Sequence, residues 1–315
     1  MATAPSAARK ASGAMLLAGA AAVLFSSKSI FIKLAYAVPG IDGTAPVDAA
    51  TLLTLRMLVA LPFFIVIGLF AGRGAQRAPL TGRDHAALVG LGLIGYYFSS
   101  YLDFIGLRYI SASLERLILY LYPTFTVLLS SLLYHKKIGR RTVLALALCY
   151  SGVALVFGHD LAGSGMSDAV WIGSGLVTIS ALTYAFYLVT GAEVIRRVGA
   201  TRFTVYAMTV SCIACIAQFL VLNPLQRLHL PAAVVGYGLL LGIVATVIPT
   251  FLTSFALTRI GANQVSLLGA VGPVATIALG AMILGETLNV WQGAGAALVI
   301  AGVLMITIRP NSTNV

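Results

Sequence analysis

Residues 106–157, GLRYISASLERLILYLYPTFTVLLSSLLYHKKIGRRTVLALALCYSGVALVF, lie without a gap on residues 256–307, ALTRIGANQVSLLGAVGPVATIALGAMILGETLNVWQGAGAALVIAGVLMIT. The shift is 150 positions, and 11 of the 52 aligned residues are identical, among them Pro123/Pro273, Thr126/Thr276 and Gly152/Gly302. In a chain this rich in Leu and Ala some identities arise by chance. The prolines decide the matter, because a proline inside an apolar helix is costly and both copies carry it at the same depth. The chain is two halves of one pattern.

The medium in which that pattern sits follows from composition. Of the 315 residues 59% are hydrophobic and 9% charged, and the mean hydropathy is +0.98. Soluble domains carry about a quarter charged residues, so this is an integral membrane protein. The net charge of +11 does not point to nucleic acid, since basic residues of membrane proteins collect in cytoplasmic loops. Cys149, Cys212 and Cys215 fall in apolar helical runs, where they read as small buried residues rather than a redox pair. The four histidines fall in or beside loops, so no metal site is expected.

Apolar runs long enough to cross a bilayer can be placed ten times, near 14–36, 49–71, 84–106, 111–134, 142–158, 169–191, 203–222, 233–257, 262–284 and 290–308. Residues 1–13 form a basic tail. The first run is too long for a cleaved leader, and removing it would leave the first half one span short. With the N-terminus inside, 14 Lys and Arg are cytoplasmic, including Arg73, Arg77, Arg83, Lys136, Lys137, Arg140, Arg141, Arg202 and Arg309. Only Arg108 and Arg227 fall on the other side, whose first loop contains Asp42. That asymmetry predicts cytoplasmic termini. Five spans per half is an odd number, so the second half (169–308) enters the membrane opposite to the first (14–158). Inverted repeats of this kind build secondary transporters with a site between the repeats near the midplane.

Six ionisable residues remain inside the spans: Lys28, Lys33, Arg56, Asp103, Glu115 and Arg116. Each costs about 2.5–3.5 kcal/mol at a helix centre on insertion scales, so each should face a cavity or a partner. The repeat counterparts of Glu115 and Arg116 are Val265 and Ser266: the pattern is symmetric and the charge is not. Arg56, Asp103 and Glu115 read as a neutralising network, with Pro123 and Pro273 as structural positions. Lys33 reads as snorkelling to the interface. Lys28 lies deeper, between Ser26, Ser27 and Ser29, and is a candidate substrate contact. Helical spacing aligns further polar faces: Tyr96, Ser99 and Asp103; Arg116, Tyr120 and Pro123; Ser180, Tyr184 and Tyr187; Thr246, Thr250 and Thr253. Hydroxyl and small residues also serve plain helix packing in membranes. Buried tyrosine hydroxyls need partners, however, and several such faces converging indicate a wet cavity. The expected substrate-binding set is Lys28, Tyr96, Ser99, Arg116, Tyr120, Tyr184, Tyr187 and Thr250.

No phosphate-binding loop, zinc-protease or nucleophile-elbow motif is present, so no catalytic residue and no cofactor is expected. The second half does carry a specific pattern: Ala262, Pro273-Val274-Ala275, Leu284-Gly285-Glu286, Trp291-Gln292-Gly293 and Ile300-Ala301-Gly302-Val303. It resembles the EamA repeat of the drug/metabolite transporter superfamily, and in the first half Arg56 and Pro123 match the same pattern. In place of a repeated Gly-Glu the first half has His135-Lys136, so Glu286 is a single copy, read as a loop or helix-end residue. The resemblance implies ten helices, an inner-membrane location and export or exchange of a small metabolite, often an amino acid. The excess of basic residues in the outer half favours a carboxylate. The partners are then a small-molecule substrate and the lipid bilayer, not nucleic acid. A polytopic enzyme acting on lipid, or an exporter of cationic drugs, is the alternative.

Overall fold

The computed structural model describes residues 4–41, 45–71, 80–135, 138–163, 168–269, 271–287 and 289–307. Asp42, Arg73, Arg77, Lys136, Lys137 and Arg309 lie outside the described residues. The described elements are helical: α1 Ala4–Ala37, α2 Ala49–Ala71, α3 Gly82–Gly92, α4 Ser99–Gly106, α5 Ala112–Leu119, α6 Tyr122–Tyr134, α7 Arg140–Gly163, α8 Asp168–Val198, α9 Ala200–Leu222, α10 Ala232–Gly242, α11 Ile248–Gly269, α12 Val271–Leu279 and α13 Val290–Thr307. Eight helical segments are long and apolar enough to cross a membrane, and two shorter apolar ones, Val271–Leu284 and Val290–Met305, follow them. The expected basic tail is helical from Ala4.

The 150-residue spacing reappears in the backbone. Leu93–Phe98 and Ile243–Val247 are π-helical, so the third span of each half is underwound at the same place. α5 stops at Leu119 and α6 starts at Tyr122, so Pro123 sits in the first turn of a new helix segment and not in mid-helix. There a missing N–H costs nothing, which corrects the expectation of a strained interior proline at this position. His135 (φ 52°) and Gly285 (φ 68°), again 150 apart, both take the left-handed conformation that ends a helix.

The halves also differ from the expected pattern. The turn anticipated at 258–261, between spans near 233–257 and 262–284, is absent, and α11 runs on through it to Gly269. In the first half Ser111 starts α5 by accepting a hydrogen bond from the Leu114 amide at 3.1 Å. Its counterpart is Gly261, which has no side-chain oxygen to cap a new helix, so the winding continues.

α7 packs along α13 and α2 along α9, each against its counterpart in the other half. At the first of these contacts a Cβ on Gly152 would sit 2.6 Å from the Gly295 carbonyl oxygen, and one on Gly302 2.6 Å from that of Ala145. Gly152 and Gly302 are counterparts, as are Ala145 and Gly295. Cys149 Sγ reaches the carbonyl of its own counterpart, Val299, at 3.6 Å. As the number rises on α7 the contacted number falls on α13, so the two helices are antiparallel. A twofold-like axis thus passes near Cys149 and Val299, across this pair of counterpart helices. All three cysteines are free and buried.

Candidate functional site

Between the halves lies a cavity of about 570 Å³, walled by α1, α2, α4, α5, α6, α8, α9, α11 and the π segments Leu93–Phe98 and Ile243–Val247. The charges come first, because they cost most in a membrane. From α1, Lys28 Nζ reaches Asp103 Oδ2 on α4 at 2.6 Å and Glu115 Oε1 on α5 at 3.3 Å. Ser29 donates to Glu115 Oε2 at 2.6 Å. Glu115 is fully buried and Asp103 is 2% exposed. Lys28 is thus a counter-ion to two carboxyls, and the polar patch around it in the sequence serves that network.

The arginines stand differently. Arg56 Nε donates to Thr246 Oγ1 at 2.8 Å, and its guanidinium carbon lies 5.6 Å from the centre of the Phe104 ring. Thr246 in turn donates to the Leu241 carbonyl, five residues back, at 2.7 Å; the π winding sets its hydroxyl toward Arg56. Arg116 Nη2 donates to Ser26 Oγ at 3.2 Å, and its Nε has no partner. Gly272 makes room for that guanidinium, since a Cβ there would sit 2.8 Å from Nη2. Among the described residues no carboxylate forms an ion pair with either arginine. Two guanidiniums therefore border one cavity without a counter-ion.

Lys28, Tyr96, Ser99, Arg116, Tyr120, Tyr184 and Thr250 of the expected binding set all border this cavity, as do Arg56 and Asp103 of the expected network. Tyr187 does not. It packs on the bare backbone of Gly95, where a Cβ would fall 2.3 Å from its own, with its ring 4.9 Å from Tyr96 and 5.2 Å from Phe203. It backs the cavity wall. Ser99 and Ser180 hold α4 to α8 by exchanging hydroxyl-to-carbonyl bonds of 3.0 and 2.8 Å. Glu115 and the two prolines lie behind the wall.

Tyr122 was not anticipated. Its ring lies 5.3 Å from Tyr184 and 6.2 Å from Tyr120. In an unbroken helix residues 120 and 122 point to different sides; the break before Pro123 lets both border the cavity. The run Tyr-Leu-Tyr-Pro was the available signal. Glu286 also does more than end a helix. Its carboxylate accepts from the Ala112 amide at 2.7 Å and from the Ser113 hydroxyl at 2.6 Å, capping α5 from the other half. Replacing it by Ala should lower stability by about 0.5–2 kcal/mol, with Gln in between. Scanning fluorimetry in detergent checks this, and equal unfolding temperatures for all three proteins would deny the cap any weight.

The comparisons with known proteins agree with this architecture. A crystal structure matches with a TM-score of 0.61 at 20% identity, over 93% of this chain and 96% of its own, which speaks for the fold alone. The uncharacterized transporter YcbK of Bacillus subtilis is 32% identical over 286 residues, covering 87% of this chain and 86% of its own. The uncharacterized transporter sll1319 of Synechocystis is 22% identical over 307 residues, 93% and 92% of the two chains. The EamA-like transporter family matches twice, over residues 12–158 and 171–308. A helical membrane chain made of two such repeats around a polar cavity belongs to the EamA-like transporter family.

Proposed function

We propose that the protein is a secondary transporter that carries a small carboxylate-bearing metabolite, such as an amino acid, by alternating access. It acts as an exporter or exchanger in the cell's inner membrane. Ten spans form two inverted units of five, with both termini cytoplasmic as the charge asymmetry requires. The observation that carries the substrate class is the pair of arginines, Arg56 buried and Arg116 half-buried, bordering the cavity without a carboxylate partner. A guanidinium in a low-dielectric site calls for an anion, and a substrate carboxylate answers both. With Lys28 held by Asp103 and Glu115, anion recognition passes from Lys28 to the arginines. Tyr96, Tyr120, Tyr122 and Tyr184 then flank the apolar part of the substrate.

The same tyrosines favour a second reading, a cationic drug held on aromatic faces. Counterflow in proteoliposomes separates the two, using labelled L-phenylalanine and ethidium as probes. L-Phenylalanine exchange is expected, and Arg116→Gln should weaken its half-saturation roughly ten- to a hundredfold, the worth of a charge-assisted hydrogen bond of about 1.5–3 kcal/mol. Exchange of ethidium alone, indifferent to Arg116→Gln, would overturn the carboxylate reading.

A further inference from the structure

We propose that Asp103 and Glu115, bridged by Lys28, form a proton-binding site through which the bound anion and a proton travel together. This rests on the carboxylate reading above. Lys28 Nζ contacts both carboxyls, Asp103 at 2.6 Å and Glu115 at 3.3 Å. Two carboxylates and one ammonium would leave this largely buried cluster, taken by itself, with a net negative charge. The neutral set is one ammonium, one carboxylate and one carboxylic acid. The donors decide which carboxyl keeps the proton. Glu115 receives Lys28 and Ser29 on its two oxygens, whereas Asp103 receives Lys28 on Oδ2 and nothing on Oδ1. Asp103 is 2% exposed and borders the cavity, so its unpartnered oxygen is the place for an exchangeable proton.

The surroundings give the coupling its sign. Arg56 on α2 and Arg116 on α5 favour the charged form of the carboxyls, as do Lys28 and Lys33 on α1. Tyr36 on α1 and Glu286 from the other half are further ionisable groups nearby, with Arg108 and Asp48 beyond Tyr36, and Tyr96, Cys212 and Cys215 beyond Arg56. When an anion occupies the arginines, their positive charge is neutralised and Asp103 takes up a proton. By linkage, the protonated site binds the anion more tightly. On release the Asp103 O–H bond breaks, the electron pair stays on Oδ1, and the proton passes to cavity water. The carboxylate left behind pairs with Lys28. A cationic substrate would do the reverse and exchange against protons, so the direction of proton movement reports the sign of the substrate charge.

Two measurements on the full-length protein test this. In nanodiscs, infrared titration should show the C=O stretch of a buried carboxylic acid near neutral pH. Asp103→Asn should remove that band, and Ser29→Ala should shift its titration. A parent protein without a band that depends on Asp103 would overturn the site. In proteoliposomes loaded with a pH dye, p-toluenesulfonate serves as the anion, because it does not cross membranes as a neutral acid. Its inward flow should acidify the lumen, and in Asp103→Asn the ratio of protons to anion should fall to zero at whatever flux remains. Anion flux with no proton movement in the parent would overturn the coupling and leave the carboxylate reading intact. Ethidium exchanging against protons, with neither p-toluenesulfonate nor L-phenylalanine carried, would overturn both.

Discussion

Lys28→Met should destabilise the protein by about 3–5 kcal/mol, the loss expected when one partner of a buried ion pair is removed. Its two carboxyls have no other cation in ion-pair contact among the described residues, and Glu115 keeps only the Ser29 hydroxyl. The damage is electrostatic, not steric, since Met fills much the same volume as Lys. The triple variant Lys28→Met, Asp103→Asn, Glu115→Gln should therefore recover most of the loss, because neutral groups replace the ammonium and both carboxyls together. Unfolding followed in detergent, with yield in the membrane fraction as a second readout, distinguishes the variants. If Lys28→Met unfolds within about 1 kcal/mol of the parent, the range of an exposed pair, the cluster is not the buried network described.

Gly302→Leu should rank next. The space a Cβ would need is already taken by the Ala145 carbonyl oxygen at 2.6 Å and Cys149 Sγ at 2.5 Å. A flexible side chain could turn away, but a backbone oxygen cannot, so α7 and α13 must separate along their contact. Overpacking typically costs about 1–3 kcal/mol, and here the displaced surface is the seam between the halves. Its counterpart Gly152→Leu meets the Gly295 carbonyl oxygen at 2.6 Å and should cost a similar amount. Gly90→Ala supplies the contrast. Nothing lies within 4 Å of its added Cβ, and Ala favours the helix by about 0.8–1.0 kcal/mol over Gly. Parity between Gly302→Leu and Gly90→Ala in thermal unfolding would sink the proposed close approach.

How much of this was legible beforehand depends on what each residue reports. Pro123 and Pro273 disclosed the duplication because their chemistry is local. Pro123 also misled about helix continuity, because a proline in the first turn and one in mid-helix look alike in a string of letters. Gly152 and Gly302 were visible as an identity, but their contacts with Gly295 and Ala145 lie across the seam and have no local signature. Lys28, Asp103 and Glu115 were each conspicuous as charges in apolar runs. That one lysine holds both acids, leaving Arg56 and Arg116 without a counter-ion, is set by the approach of α1 to α4 and α5. The turn expected at 258–261 failed for a simpler reason: where Ser111 caps α5 in the first half, the second half has Gly261, which has no side-chain oxygen to start a new helix, and α11 runs on.

The placement of the charges along the chain bears on how the protein is made. Lys28, Asp103 and Glu115 all precede Tyr134, the last residue of α6, whereas Thr246 and Gly272, which accommodate Arg56 and Arg116, come more than a hundred residues later. As synthesis proceeds from the N-terminus, the ammonium and both acids can find one another once four spans have left the translocon. The bilayer then holds a neutral cluster while the rest of the chain is still being translated. The two guanidiniums can meet Ser26 and Phe104 within the first repeat, but Thr246 and Gly272 complete their walls only when the second repeat arrives. Assembly of the cavity is therefore the last event of insertion, and the arginines are the groups most exposed to error if translation stops halfway.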